Sequence, residues 1–145
     1  MQSAPQPEPQ PEKPKSTYQY VTPLDTSGMQ GIYIDTGAIT HYGHDCCSGG
    51  KTATGYDISD GRIYYTDPTF GSVRIVAAGR NEFRYGTILR LNGYSQEPII
   101  AIVLDVGGIS LKKDYKLDLL VESEAVASRL GVKRNVSIEV LREGY

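Results

Sequence analysis

The stretch Pro98-Ile-Ile-Ala-Ile-Val-Leu104 decides the fold, and it runs directly into Asp105-Val106-Gly107-Gly108. A short apolar run bounded by turn residues is typical of a buried strand, and we predict one over Ile99–Leu104. A carboxylate that follows such a strand is expected at the mouth of a sheet or barrel. The two glycines let the backbone turn sharply and let a ligand come close. Asp105 and these glycines are therefore candidate site residues.

A second carboxylate lies inside the next apolar run, Leu117-Asp118-Leu119-Leu120-Val121. This run predicts another strand that carries Asp118 within it. Paired carboxylates near a cleft are what glycoside chemistry uses. We therefore predict Asp105 and Asp118 as the two catalytic residues.

Outward from these two runs, short apolar segments alternate with clusters of Gly, Pro, Asn and Asp, which predicts an all-β domain. The 16 glycines and 11 tyrosines favour the same class. One short helix is predicted between Ser123, a good N-cap, and Gly131, which ends it. The strand that carries Asp118 is predicted over Lys116–Val121. The other predicted strands are Gly31–Asp35, Ala38–Tyr42, Arg62–Thr66, Val73–Ala78, Thr87–Leu91 and Ser137–Leu141.

The composition divides the chain into a tail and one domain. Residues 1–17 hold most of the eight prolines and, apart from Met1, no large apolar side chain. We predict a disordered, proline-rich linker there and a single domain over residues 18–145. The linker is expected either to tether the domain to a membrane anchor or to be a plain tail. No apolar region of a signal peptide is visible.

Charge and hydropathy narrow the classes of partner. The net charge of −2 provides no basic field that would attract nucleic acid. No run of 18 apolar residues occurs, so the sequence predicts no membrane span. Nothing in the pattern indicates an oligomeric state.

Two histidines and two adjacent cysteines fall close together, at His41, His44, Cys46 and Cys47. Their spacing fits no common zinc pattern, because neighbouring thiolates rarely both reach one tetrahedral ion without strain. We therefore predict no metal and no other cofactor. The cysteines are expected either to form a vicinal disulfide in an oxidising compartment or to remain two unbridged thiols in a glycine-rich loop.

The segment Lys51-Thr52-Ala53-Thr54-Gly55 places small hydroxyl side chains beside a glycine. Such a segment suits close contact with a polar ligand such as a sugar. We predict that Thr52, Thr54 and Gly55 bind substrate together with the glycines after Asp105. The alternative for this segment is an ordinary strand that enters a turn.

Several short motifs follow one another in a recognisable order. They are Thr40-x-Tyr42, Cys46-Cys47-Ser-Gly, Lys51-Thr-Ala-Thr-Gly55, Tyr85-Gly86-Thr87, Asp105-Val-Gly-Gly108, Leu117-Asp118 and Val136-x-Ile138-x-Val140-Leu141. In this order they resemble the three-aspartate (3D) domain family. That family includes the stationary-phase survival muralytic proteins and the catalytic part of membrane-bound lytic transglycosylase A. The Lys-Thr-Ala-Thr-Gly and Asp-x-Gly-Gly elements are specific when taken together.

The resemblance implies a six-stranded double-psi β-barrel with one short helix. It implies secretion or a place in the bacterial cell envelope, and peptidoglycan glycan strands as the partner. It further implies a lytic transglycosylase, which cleaves the MurNAc-β-1,4-GlcNAc bond without water and forms 1,6-anhydro-MurNAc. One Asp can protonate the bridging oxygen and then accept the proton of the muramic C6 hydroxyl. We predict that Asp105 is this general acid and base, and that Asp118 orients the sugar or tunes Asp105.

The sequence departs from the family pattern in two places. Val106 stands where the family has Thr in Asp-Thr-Gly-Gly, which removes a hydroxyl near the site. The first of the three aspartates aligns with Gly79, and Asp67 could represent it only through a shifted alignment. The alternative function is therefore a non-catalytic peptidoglycan- or polysaccharide-binding barrel that has lost the first aspartate.

Overall fold

A computed structural model describes residues 16–46, 49–79, 81–107 and 115–145 of the chain. The elements in these ranges are β1 (Ile34–Gly43), β2 (Tyr64–Asp67), β3 (Gly71–Ala78), β4 (Ile88–Asn92), β5 (Ile99–Val106), β6 (Tyr115–Val121), α1 (Glu124–Leu130) and β7 (Lys133–Arg142).

Six of the strands close into a barrel. Their order is β3-β5-β4-β7-β1-β6, and β6 pairs back with β3. Strand β2 lies outside this ring and pairs with Gly71–Arg74 of β3, whereas β6 pairs with Val76–Ala78. The pairings β1–β6 and β3–β5 are parallel. The prediction of an all-β chain with a closed six-stranded barrel and one short helix is confirmed at this level.

The apolar run after Pro98 is buried on both sides, as its composition predicts. Along β5, Ala101 and Val103 belong to one apolar cluster, and Ile102 and Leu104 belong to a second. Alternate side chains of a strand point to opposite faces, so β5 separates the two clusters. The second cluster extends to the end of the barrel where Asp105 follows.

Strand β1 (Ile34–Gly43) contains the strand predicted over Ala38–Tyr42 and only the last two residues of the strand predicted over Gly31–Asp35. The prediction is therefore wrong about the interruption and about the start at Gly31. The register with β7 shifts between Gly37 and Ile39, so the strand continues through the glycine that separated the two predicted strands. Gly31 lies before β1, where its N–H donates to Glu139 Oε2 at 2.8 Å. A side chain at Gly31 would overlap Glu139, with its Cβ 2.1 Å from Cγ.

The helix has the caps that the sequence predicts. Ser123 Oγ accepts a hydrogen bond from Val126 N at 3.3 Å, which satisfies one of the unpaired amides of the first turn. Gly131 follows the last helical residue with a φ of 64°, a left-handed value that glycine adopts at little cost.

Most of the predicted linker, residues 1–15, lies outside the described residues. Ser16 Oγ donates to Asp60 Oδ2 at 3.0 Å, and Thr17 N reaches the same oxygen at 3.3 Å. The described part of the chain contains no helix that is long and apolar enough to cross a membrane.

Candidate functional site

Asp105 and Asp118 flank the same residue of β3. Ala77 is paired with Asp105 on the parallel strand β5 and with Asp118 on the antiparallel strand β6. Neighbouring strands are about 4.8 Å apart, so strands on either side of a third are roughly 10 Å apart. The structure therefore brings together the two predicted catalytic residues, with only the methyl group of Ala77 on the strand between them.

The carboxylate of Asp105 is held by three donors. Oδ1 accepts from the backbone N–H of Ala53 at 2.9 Å and of Val106 at 2.9 Å, and Oδ2 accepts from the hydroxyl of Tyr42 at 3.0 Å. Burial and the charge of Asp105 raise the pKa of Tyr42 well above its ordinary value, so its hydroxyl remains a donor. These contacts fix the orientation of Asp105 at the end of β5.

Asp118 has a different environment. Thr40, its partner across the β1–β6 pairing, donates from Oγ1 to Asp118 Oδ1 at 3.1 Å. Burial is the main reason that the pKa of Asp118 is raised to about 6, and the nearby charges of Glu124 and Asp105 add to the increase. Asp118 is thus an acid that carries a proton for part of the time near neutral pH.

A cavity of about 400 Å³ opens onto both carboxylates. Its wall includes Ala77, Gly107, Lys51 and Glu124 in addition to the two aspartates. The volume is within the range of ligand-binding pockets. The cavity therefore combines three carboxylates with one lysine and two histidines, His41 and His44.

Glu124 links this cavity to the helix. Its Oε1 accepts a hydrogen bond from Gly43 N at 3.1 Å. A Cβ on Gly43 would lie 2.2 Å from the carbonyl carbon of Ser123, so only glycine permits this approach of β1 to the start of α1. The contact holds the end of the strand that carries Thr40 and Tyr42.

The predicted substrate residues Thr52, Thr54 and Gly55 form a turn beside Asp105. Thr52 is buried, and its Oγ1 accepts from Tyr56 N at 3.1 Å and hydrogen-bonds Thr54 Oγ1 at 2.9 Å. Thr54 Oγ1 in turn donates to Leu104 O at 2.9 Å. These two hydroxyls hold the turn against β5 and present Ala53 N to Asp105. They and Gly55 do not line the cavity.

The two predicted glycines after Asp105 are described in part. Gly107 lines the cavity, and its N–H donates to Ala78 O at 3.1 Å. Gly108 lies outside the described residues, as does Cys47.

The histidine and cysteine segment borders the same cavity, which His41, His44 and Cys46 help to line. His41 uses both ring nitrogens, Nδ1 with Gly131 O at 2.8 Å and Nε2 with the Tyr94 hydroxyl at 2.6 Å. Cys46 is disulfide-bonded, which agrees with the oxidised alternative for the cysteines. Over the described ranges, no group of three or more His, Cys, Asp or Glu side chains is arranged to hold a metal ion.

Gly79 is the residue that the resemblance aligns with the first aspartate of the three-aspartate family. It lies in the wall of a neighbouring, larger cavity. A Cβ at Gly79 would lie 3.2 Å from Cγ of Glu82, the residue that closes the turn by donating its N–H to Gly79 O. Asp67 is not in either cavity wall and forms an ion pair with Arg142 at 2.7 Å. Glu82 is therefore the carboxylate beside the aligned position.

Sequence reasoning assigned no role to Thr40, Tyr42 or Glu124. Thr40 and Tyr42 are two apart on one strand, so both point to the same face. Their partners, Asp118 and Asp105, are distant in sequence and are brought to them only by the parallel β1–β6 pairing and the closure of the barrel. The spacing Thr40-x-Tyr42 was the available signal, and it did not identify the partners.

No protein-family model matches the chain, and a search of the curated proteins found no match.

Proposed function

We propose that this chain is a peptidoglycan lytic transglycosylase of the three-aspartate type, in which Asp118 is the general acid and base. The observation that carries the proposal is the raised pKa of Asp118, about 6, in a cavity that also contains Asp105. A general acid works best when its pKa lies near the working pH. The proposal reassigns to Asp118 the role that the sequence suggested for Asp105.

The reaction needs one group that first gives and then takes a proton. The carboxyl of Asp118 protonates the oxygen of the MurNAc-β-1,4-GlcNAc bond while the bond from that oxygen to muramic C1 breaks. The muramic C6 hydroxyl then forms a bond to C1, and its proton goes to the Asp118 carboxylate. The products are a free GlcNAc 4-hydroxyl and a 1,6-anhydro-MurNAc end. The carboxyl returns to its starting state and no water is consumed.

Asp105 supports this reaction as a fixed negative charge. Its three donors hold it in one orientation, and it lies across Ala77 from the acid. A fixed carboxylate stabilises positive charge that develops at C1 as the bond breaks. It also contributes to the raised pKa of Asp118. Each aspartate therefore has a distinct role.

The fold and the location belong to the same proposal. Two parallel pairings within an otherwise antiparallel six-stranded barrel are compatible with double-psi topology. The disulfide at Cys46 supports an oxidising location such as the cell envelope.

The test is mass spectrometry of purified cell walls digested with the parent protein and with Asp118→Asn. The parent should release fragments with 1,6-anhydro ends, and Asp118→Asn should lower their rate of release on the order of 10²–10⁴-fold, or roughly 3–5 kcal/mol of barrier. Asp25→Asn is the matched control, because Asp25 accepts from Ser27 N in an exposed turn. Parental rates for Asp118→Asn would contradict the proposal.

A non-catalytic polysaccharide-binding barrel is the second candidate. Gly79, which has no side chain at the position of the first family aspartate, favours it. In that case the parent protein would sediment with cell walls but release no anhydro ends.

A further inference from the structure

A second cavity, of about 640 Å³, lies on the other side of Asp105. Asp105 and Val106 line both cavities. The end of β5 is therefore the boundary between two adjoining spaces. A ligand that passes over Asp105 would occupy both.

One wall of the larger cavity is built by the residues that follow β7. Gly144 N donates to Thr87 Oγ1 at 3.0 Å, and Tyr145 N donates to Tyr85 O at 3.1 Å. A Cβ on Gly144 would lie 2.1 Å from Tyr85 O, so glycine is required for this approach. These contacts attach residues 143–145 to the segment that precedes β4.

Tyr145 lies over another glycine. Gly86 has a φ of 89°, and a Cβ there would lie 2.6 Å from Cε1 of the Tyr145 ring. The edge of the ring thus lies against the backbone of Gly86. The rest of Tyr145 faces solvent, and the residue is 85% exposed. Two more exposed tyrosines, Tyr33 and Tyr85, line the same cavity.

Hydrogen-bonding groups surround these rings. Glu82, Arg84 and Glu143 contribute to the wall. Burial and the nearby charges of Glu143, Asp35 and Glu82 raise the pKa of Tyr33, which keeps its hydroxyl protonated. Exposed aromatic rings beside polar groups suit a ligand that has an apolar face and a polar edge.

We propose that this larger cavity is a saccharide-binding subsite in which the Tyr145 ring stacks on a pyranose ring adjacent to the bond that is cleaved. A pyranose presents C–H groups on its faces and hydroxyl and acetamido groups around its edge, which matches aromatic rings with charged neighbours. The inference rests on the proposed function for the choice of ligand, and the boundary that the two cavities share at Asp105 and Val106 allows a glycan held at Asp105 to continue into the adjoining space.

The test is calorimetric titration with N-acetylchitotetraose, a soluble GlcNAc tetramer, in the Asp118→Asn background so that the probe is not consumed. Adding Tyr145→Ala should weaken binding on the order of three- to tenfold, the value of one aromatic contact. Tyr145→Phe retains the ring and should restore most of the affinity. Gly144→Ala should weaken binding like Tyr145→Ala, because it displaces the wall.

Tyr20→Ala is the matched control. Tyr20 is 59% exposed, packs edge-on against Tyr64 and lines neither of the two cavities, so its loss should leave the affinity unchanged. Binding that is absent in the Asp118→Asn protein, or that persists at full strength in both Tyr145→Ala and Gly144→Ala, would overturn the subsite.

The subsite and the catalytic proposal fail separately. Anhydro products from the parent, with no rise in KM for Tyr145→Ala, would leave the catalytic proposal standing and overturn the subsite. Tyr145-dependent binding of the tetramer by a protein that releases no anhydro ends would support the subsite and overturn the catalytic proposal.

Discussion

Asp67 at the end of β2 and Asp118 in the middle of β6 are both shielded from solvent, but the hydrogen bonds that compensate their burial differ. Asp67 is 3% exposed and accepts two hydrogen bonds from Arg142, at 2.7 and 2.9 Å. It also accepts from the backbone N–H groups of Thr69 and Phe70. Burial alone would raise the pKa of Asp67, but these donors outweigh it, and the pKa lies below its usual value.

Asp118 is paired with no comparable cation among the described residues. Its side-chain donor is the Thr40 hydroxyl, and burial together with Glu124 and Asp105 raises its pKa to about 6. The difference teaches that burial alone does not set the pKa of a carboxylate. The number and charge of the donors that compensate burial decide the direction of the shift.

Among the substitutions that test this comparison, a change at Asp67 should have the largest effect on the free energy of unfolding. Asp67→Asn removes the negative charge and turns an amide N–H toward Arg142, so the free energy of unfolding should fall by about 2–4 kcal/mol. Arg142 is partly exposed, which keeps the loss below that of a fully buried pair. Urea denaturation would measure it. Asp118→Asn should not lower stability at pH 7, because it removes a carboxylate whose charged form is disfavoured.

The pH dependence has opposite signs for the two residues. The Asp67 pair stabilises the fold above the unfolded pKa of about 3.9 and is lost as pH falls below it. Asp118 destabilises the fold increasingly as pH rises from about 4 to about 6. If Asp118→Asn lowered the free energy of unfolding as much as Asp67→Asn does, the proposed difference between the two carboxylates would be wrong.

A smaller effect is expected on the pKa of Asp118 itself. Thr40→Val removes a donor and should raise the pKa above about 6, whereas Glu124→Gln removes a like charge and should lower it. Each shift should be about half a unit to one unit. The amide oxygen that Glu124→Gln introduces can still accept from Gly43 N, which preserves the contact of β1 with α1. A ¹³C NMR titration of the Asp118 carboxyl would measure both shifts, and movement in the same direction would contradict this origin of the raised pKa.

The smallest effect is expected at Gly79. Gly79 does not have a positive φ, and the one close neighbour of an added Cβ is the exposed Glu82 side chain, at 3.2 Å. Gly79→Asp should therefore change the free energy of unfolding by less than about 1 kcal/mol. Gly28→Asp, at an open position, is the control.

The activity of Gly79→Asp sharpens the choice of function. If the parent protein is already active, the added aspartate should change the rate of anhydro release less than tenfold. Release of anhydro ends by Gly79→Asp but not by the parent would favour the binding-module alternative.

Local patterns predicted most of the strands and the helix. The apolar run over Ile99–Leu104 and the caps Ser123 and Gly131 each depend on neighbours in the sequence, and the structure retains them. The interruption was predicted because a glycine, Gly37, stands between the two apolar runs. The structure keeps Gly37 within β1, at a shift in register with β7. The prediction that the barrel closes came from the family resemblance, because no local pattern in the sequence indicates closure.

The convergence of Asp105 and Asp118 on one cavity was predictable from the sequence, but the contacts that distinguish the two carboxylates were not. Asp105 follows the more apolar run, and that prominence suggested it as the acid. Donors from the distant residues Ala53 and Tyr42 hold it in place, while β6 carries Asp118 to a position with fewer donors. The number of donors that compensate the burial of each carboxylate depends on contacts between residues that are distant in sequence. The spacing of residues along the chain does not reveal those contacts.

The short pairing of β6 with Val76–Ala78 of β3 closes the barrel and also brings Asp118 to Ala77. The paired residues Val76 and Leu119 are far apart along the chain, so their pairing closes a long loop. A molecule in which this pairing is open can keep the β3–β5 pair and still lack Asp118 beside Asp105. The approach of Asp118 to Asp105 across Ala77 therefore exists only once the barrel has closed.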